Sequence, residues 1–482
     1  MLHILYIATE CAPFAKSGGL GDVIGSLPQA IAKEGMQVSV LLPLYAQISE
    51  TYRNRMEFVD STVVTLSWRK QYAGLFRLRE GGVTYYFVDN RYYFERDGLY
   101  GSYDDGERFA FFSKAALELL PHLDSFPDIL HCNDWQTALV PVFLKTLFAG
   151  NRPHKNLRTV FTIHNIEYQG RYDHAMFGDI LGLSEHHRSL VDLYGHINYM
   201  KGAVVCCDAL TTVSPTYARE IRYPFFGQGM ESILRENEYK LRGILNGIDN
   251  ELYDPSTDPH LAVNYDAGSA GEKRGNKRAL ADETGIAYRV KTPMIGMVTR
   301  LVRHKGLDLI EGVFEELMHL DLTLVMLGTG DATYESWFRD KSRQHAGRFA
   351  FISAFSARLA SRIYAGSDFF LMPSVSEPCG LSQMIALRYG TIPIVRKTGG
   401  LSDSIRPFSS ADESGNGFTF ETINAHDMLD AVQRGLDVFR QAKLWKKLTA
   451  NAFESDFSWT RSAAEYIGLY KSLAITNTDK KG

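Results

Sequence analysis

Cysteine is scarce in this chain, and none of it is arranged for structure or metal. The five residues, Cys11, Cys132, Cys206, Cys207 and Cys379, form no C-x-x-C pair and are odd in number. That excludes a disulfide framework and fits reduced thiols in a cytoplasm. The 14 histidines include the neighbours His186 and His187 but show no zinc-ligand spacing. No polybasic run occurs, and 52 basic residues against 56 acidic ones leave a net charge of −4. Neither nucleic acid nor an anionic membrane is an expected partner. No apolar stretch reaches the length of a membrane span, and the chain opens on a strand pattern without the basic and apolar segments of a secretion signal. A cytoplasmic location is the expectation. Internal repeats, low-complexity tracts, the dinucleotide fingerprint G-x-G-x-x-G and the metal-binding element Asp-x-Asp are all missing as well.

What is present is an ordinary globular composition, 45% hydrophobic and 22% charged, in a chain of 482 residues. That length exceeds what one core usually supports, so two domains are expected. Short apolar runs alternate with helical periods, the pattern of an α/β fold with parallel sheets. The first unit reads as strand 2–8, a helix near 20–34 and strand 37–43. Between them lies "FAKSGGLGDVIGSLPQAIAKEG", residues 14–35, where Lys16 and the glycines Gly18, Gly19, Gly21 and Gly25 precede a helix. A strand that stops at glycines before a helix offers N–H groups at the positive end of the helix dipole, which suits phosphate. The following strand, "MQVSVLLPLY", ends without the acid that would bind a ribose, which argues against an NAD site.

Later runs, "FPDILHCNDWQ", "LRTVFTIHNIEYQG" and "ALTTVSPTYAREI", read as strands ending in polar loops. Ligands of such sheets sit at the carboxyl ends of strands, where His131, Asn133, Asp134, His164 and Asn165 are expected to fall. After the turn-rich "GILNGIDNELYDPSTD" and a polar stretch, the pattern restarts. "TPMIGMVTRL" reads as a strand, "KGLDLIEGVFEELMHL" as one helix with Leu307, Ile310, Phe314 and Leu317 along a face, and "DLTLVMLGTG" as the next strand. "RFAFISAF", "DFFLMPSV" and "TIPIVRKT" supply three more. Each domain thus has a cationic or glycine-rich loop at a strand end, which points to a phosphorylated ligand between them.

The motifs "KSGGLGDV", "FTIHNIEYQG", "SPTYAREI", "ILNGID", "TRLVRHKGLDLI", "EPCGLSQMIALRYGTIPIVRKTGGL" and "DFSWTRSAAEYIGLY" together resemble bacterial glycogen synthases and plant starch synthases, in order and as far as about residue 472. The resemblance implies a GT-B glycosyltransferase, an α/β protein of two Rossmann-like doubly wound domains facing a central cleft. It places an acceptor-side domain at 1–247, completed by a C-terminal helix at 456–482, and a donor-side domain at 248–455. Ala463, Tyr466 and Tyr470 share the face by which that helix would pack. The implied reaction is transfer of glucose from ADP-glucose to the non-reducing end of an α-1,4-glucan such as glycogen, with retention and without metal or other cofactor. The oligomeric state is open at this point.

A departing diphosphate gains negative charge while the anomeric carbon becomes positive. With no Asp-x-Asp to hold a metal, cationic side chains must neutralise the first. Position alone leaves Arg300, Lys305 and Lys16 open to being surface cations; the resemblance implies contacts to the donor phosphates, Lys16 acting with the amides near Gly18 and Gly19 and with Asp22 close by. His164 by itself could be structural, and Asp134 and Asn246 could cap turns. The family sets the first beside the donor sugar, with a main-chain carbonyl facing developing positive charge, and the other two in the catalytic region. Glu377 is implied to hold donor-sugar hydroxyls, not to act as a covalent nucleophile. Cys379 reads as packing at a helix start; with Gly380, Leu381, Ser382, Thr398, Gly399 and Gly400 it belongs to the implied donor and phosphate pocket.

Two departures stand out. The Arg-Phe usual before "EPCG" is replaced by Val375 and Ser376, and the usual Gly-Tyr with a following acid becomes Ala354, Phe355, Ser356 and Ala357. Phe355 keeps a ring to stack on a base but loses the phenol. These changes keep two rivals in view, a related GT-B transferase with another sugar nucleotide or acceptor and a glucan-binding regulatory protein with little catalysis. Intact Lys16, Arg300, Lys305 and Glu377 favour the glycogen synthase reading.

Overall fold

Strands covered on both faces are largely apolar, and the runs at His3–Ile7 and Ile129–Asn133 are buried at every position. The computed structural model describes residues 2–478 and divides into two units, Met1–Gly247 with Trp459–Gly482, and Ile248–Ser458. Residues 479–482 of the predicted C-terminal helix lie outside the described residues. Among the described residues no helix is long and apolar enough to cross a membrane.

The first unit contains β1 (His3–Ile7), β2 (Gln37–Pro43), β3 (Glu57–Leu66), β4 (Arg69–Glu80), β5 (Val83–Asp89), β6 (Ile129–Asn133), β7 (Arg158–Ile163), β8 (Arg171–Tyr172), β9 (Asp192–Leu193), β10 (His196–Asn198), β11 (Ala209–Thr212) and β12 (Leu241–Gly243). Nine of them form one sheet in the order β12-β11-β7-β6-β1-β2-β5-β4-β3, while β8, β10 and β9 make a small separate sheet. The pairings from β12 to β5 are parallel. β3 and β4 extend the sheet as an antiparallel ribbon that the sequence reading did not anticipate. In β3 only Val64 and Leu66 are fully buried, so its polar and apolar residues give no continuous run to read.

The chain leaves β1 toward β2 on one side and later returns to β6 on the other, so the switch point of this sheet lies at the carboxyl ends of β1 and β6. Beneath it the helix Trp459–Thr478 packs by the expected face, with Ala463, Tyr466 and Tyr470 all buried. The Tyr470 hydroxyl lies 2.6 Å from that of Tyr6 and 2.7 Å from His131 Nδ1. His131 is therefore not a strand-end residue. It sits inside β6 opposite Tyr6 and Val160 and is 1% exposed, a core histidine held by polar partners.

The second unit is a six-stranded parallel sheet of β13 (Met294–Val298), β14 (Thr323–Leu327), β15 (Phe349–Ile352), β16 (Phe369–Met372), β17 (Ile392–Arg396) and β18 (Phe418–Phe420), in the order β15-β14-β13-β16-β17-β18. Its switch point falls between β13 and β16. The helix expected after "HKG" is two helices, Leu307–Gly312 and Phe314–His319, broken at Val313. Gly312 is a weak helix former and the β-branched Val313, 2% exposed, turns inward at the break. Leu307, Ile310, Phe314 and Leu317 nevertheless all reach the core.

Candidate active site

In the second unit the switch point opens into a cavity of about 170 Å³, whose wall includes Arg300, Lys305, Ser374, Glu377, Gly380 and Ser382. Two loops build it, one after β13 and one after β16. They are stitched together because Val375 N–H donates to the His304 carbonyl at 2.8 Å. Gly306 permits the approach: its φ is +71°, and a Cβ there would stand 2.0 Å from the Pro373 carbonyl oxygen. The result is a close ion pair, Lys305 Nζ to Glu377 Oε2 at 2.6 Å, with the Ser374 hydroxyl donating to the same oxygen at 2.9 Å. Glu377 is 6% exposed. A carboxylate so buried requires such partners.

The loop is also braced from below. Arg396, at the end of β17, donates through Nε to the Ser374 carbonyl at 2.8 Å and through Nη2 to that of Val375 at 2.5 Å. Gly400 N–H donates to the Glu377 and Pro378 carbonyls, each at 3.1 Å. Thr398, Gly399 and Gly400 are buried against the loop that carries Glu377. Cys379 is buried beside them, and none of the five cysteines is in a disulfide. Gly380, Leu381 and Ser382 do reach the cavity, and the Tyr364 hydroxyl donates to Ser382 Oγ at 3.0 Å. Arg300 is exposed at the rim. Phe355, 91% exposed, follows β15 just before Ser356, whose hydroxyl caps the helix Ala357–Gly366 through the Leu359 N–H.

In the first unit Asp134 and His164 meet at the carboxyl ends of β6 and β7. Asp134 Oδ1 accepts the His164 main-chain N–H at 2.8 Å. Burial pushes the Asp134 carboxyl up to about 7, against the lowering effect of the His164 and Asn165 amides. Burial also drives His164 down to about 3, so its ring is neutral. Asn133 Nδ2 donates to the Ile7 and His131 carbonyls, which turns its Oδ1 toward His164 Nε2 at 3.0 Å. The proton of the neutral ring therefore resides on Nε2, and Nδ1 is the acceptor. Asn246, 5% exposed, has a side-chain oxygen without a hydrogen-bond partner among the described residues. At the end of β1, Lys16 Nζ pairs with Asp22 at 2.6 Å, and Gly18 precedes the helix Gly19–Lys33.

Sequence reasoning missed Glu10, Ser374, Arg396 and Tyr364. Glu10, three residues past the end of β1, Ser374, two past the end of β16, and Arg396, the last residue of β17, all stood where strand-end logic should have drawn attention. Among the described residues no group of three or more His, Cys, Asp or Glu side chains is placed to hold a metal ion.

Two doubly wound units, each with its polar residues gathered at the switch point, are the architecture of GT-B glycosyltransferases. Residues 3–236 match the family model described as starch synthase catalytic domain, and residues 283–453 that of glycosyl transferases group 1. The glycogen synthase of Alkaliphilus metalliredigens is 47% identical over 474 residues, covering 98% of this chain and 100% of that protein. The Geobacillus stearothermophilus glycogen synthase is 46% identical over 474 residues, with 98% of each chain covered. The catalytic domain of starch synthase IV from Arabidopsis thaliana, solved bound to ADP and acarbose, is 35% identical with a TM-score of 0.90, covering 98% of this chain and 99% of that one. The chain belongs to the glycogen synthase and starch synthase family.

Proposed function

We propose that the protein transfers glucose from ADP-glucose to the non-reducing end of an α-1,4-glucan, with retention of configuration and with no metal or other cofactor. The observation that carries this reading is the Lys305–Glu377 pair at the switch point of the second unit, in a chain of this family. A half-buried ammonium and a buried carboxylate side by side match the two charges that separate when a sugar nucleotide breaks. Lys305, with Arg300 at the rim, meets the departing diphosphate. Glu377, kept in place by Ser374 and by the braced loop, holds donor-sugar hydroxyls and supports the positive anomeric carbon.

Attack and departure then occur on one face of the sugar, which retains configuration without a covalent intermediate. In the first unit Lys16 and the start of the helix Gly19–Lys33 contribute to the donor phosphates, and the neutral His164 leaves its carbonyl to face positive charge. Asp134 and Asn246 supply a carboxylate and an amide in the catalytic region. Phe355 offers an exposed ring for the adenine.

The test is transfer of labelled glucose to glycogen by the purified protein, with ADP-glucose and UDP-glucose compared as donors. ADP-glucose is expected to be the better donor by kcat/KM, and Lys305→Ala to lower transfer on the order of 10²-fold or more with the fold intact. Absence of transfer from either donor overturns the reading. Near-normal turnover in Lys305→Ala overturns the role of the pair.

A further inference from the structure

The turn after β1 carries a carboxylate for which the proposed reaction has no task. Glu10 is 4% exposed, and both of its oxygens are fully engaged. Oε2 accepts the main-chain N–H of Ser17 at 2.6 Å and that of Gly18 at 2.9 Å. Oε1 accepts the Ser17 hydroxyl at 2.8 Å and the Tyr100 hydroxyl at 2.9 Å. Tyr100 is itself tied to Thr9 Oγ1 at 2.8 Å. Successive N–H groups converging on one point form a nest that ordinarily takes an anion. Here the anion is the protein's own side chain.

The Ser17 and Gly18 amides are therefore already filled. What faces outward is the first turn of the helix Gly19–Lys33, where the Gly21 N–H is turned back onto the Gly18 carbonyl at 3.2 Å and the start of the helix dipole is exposed, together with Lys16. A Cβ built on Gly18 or Gly19 would meet nothing within 4 Å, so that side of the turn is open to a ligand. The inner side is the opposite. At Gly21 a Cβ would come 2.9 Å from Lys16 Cγ and 3.3 Å from Glu10 Oε2, so the glycine lets the lysine stem and the carboxylate pack against one main-chain surface. Lys16 and Glu10 are thus placed by the same contact, and Asp22 receives the ammonium at the far end.

We propose that Glu10 is a positioning residue for donor binding: by filling the inner nest it fixes the main chain of residues 16–19, so that Lys16 and the helix start are presented to the donor diphosphate already ordered. The inference rests on the donor reading given above. Its physical content is pre-organisation. A loop ordered on folding does not have to be ordered on binding, and the difference appears in affinity for the ligand it touches. Four donors converging on one side chain suit a strut.

The test measures KM for ADP-glucose, KM for glycogen and kcat in Glu10→Ala, Glu10→Gln and Tyr100→Phe, with and without added formate. In Glu10→Ala the donor KM is expected to rise about tenfold or more, while kcat stays within about threefold and the glycogen KM within about twofold. Formate, which fits the vacated nest, should recover part of the donor KM. In a Lys16→Ala background the same substitution should add less than about twofold, because the two residues act as one unit. If Glu10→Ala does not fold, Glu10→Gln and Tyr100→Phe are read in the same way, each with a donor KM raised about two- to threefold. An unchanged donor KM in the variants that fold, or a loss fully additive with Lys16→Ala, overturns the proposal. Wild-type transfer from ADP-glucose keeps the two readings apart: its absence defeats the donor reading, and its presence with unaffected variants defeats only the role of Glu10.

Discussion

Asp134 concentrates several costs in one residue. Its φ of +57° with ψ of 177° lies in a region that residues other than glycine rarely occupy, at about 1–3 kcal/mol. The surroundings impose it, since Asp134 N–H donates to the Thr162 carbonyl at 3.0 Å while its carboxylate accepts from His164. Its carboxyl, pushed up to about 7 mainly by burial, binds a proton more tightly in the folded chain than in the unfolded one. Its contribution to stability is therefore complete below the unfolded carboxyl pKa of about 3.9 and is lost as pH rises through about 7. Asp134→Asn, which has no charge to bury, should be more stable than the wild type at pH 8, with the difference fading toward pH 5. Thermal melts at both pH values check this. If the ionised carboxylate serves transfer, wild-type activity should also fall as pH drops below about 7, and an acid limb a unit or more lower would show that another group governs it. The same residues show where reading a sequence stops. Lys305 and Glu377 were each marked by a motif, but they are 72 positions apart, and their contact depends on the Val375–His304 bond and on the room left at Gly306. Glu10 drew no notice because its partners, Ser17, Gly18 and Tyr100, are assembled only by the fold.

Among the elements, the parallel strands were legible because burial on both faces demands unbroken apolar runs, as in "HILYI" and "TLVML". The β3–β4 ribbon was not, since Phe58 and Val63 stay exposed on its outer side and blur the alternation. The C-terminal helix was legible by its face, though its buried polar anchor was not. Tyr470 shares its hydroxyl with Tyr6 and His131, and His131 Nε2 continues to Thr162 Oγ1 at 2.6 Å, which lies 2.6 Å from Thr211 Oγ1. This chain of polar side chains runs through the sheet from the helix to β11. Burial lowers His131 to about 3, so the chain is neutral and depends on hydrogen bonds alone. Tyr470→Phe would leave the Tyr6 hydroxyl and His131 Nδ1 each short of a partner inside the core, at a cost of about 1–3 kcal/mol. Urea denaturation should show that loss while the KM values for donor and glucan stay at wild-type levels. A changed donor KM with unchanged stability would mean that the helix serves the site and not the core.

At the scale of the whole molecule, an anionic donor has to bind a protein whose own charge is negative. With 56 acidic and 52 basic residues, the net charge of −4 cannot attract a sugar nucleotide over any distance in physiological salt. The attraction has to be local, and the cavity of the second unit has two cations, Lys305 and Arg300, on its wall for the proposed role. In the proposed reaction, side-chain cations carry the charge of the leaving diphosphate and no divalent ion is required. Two responses follow from this arrangement. Transfer should persist unchanged in excess EDTA, and raising the salt concentration should increase the donor KM more than it changes kcat, because screening weakens ground-state binding of a charged ligand. Activity lost on chelation and restored by Mg²⁺ or Mn²⁺ would refute neutralisation by side chains alone. A donor KM indifferent to salt would place the diphosphate away from the exposed Arg300 and leave it to the half-buried Lys305.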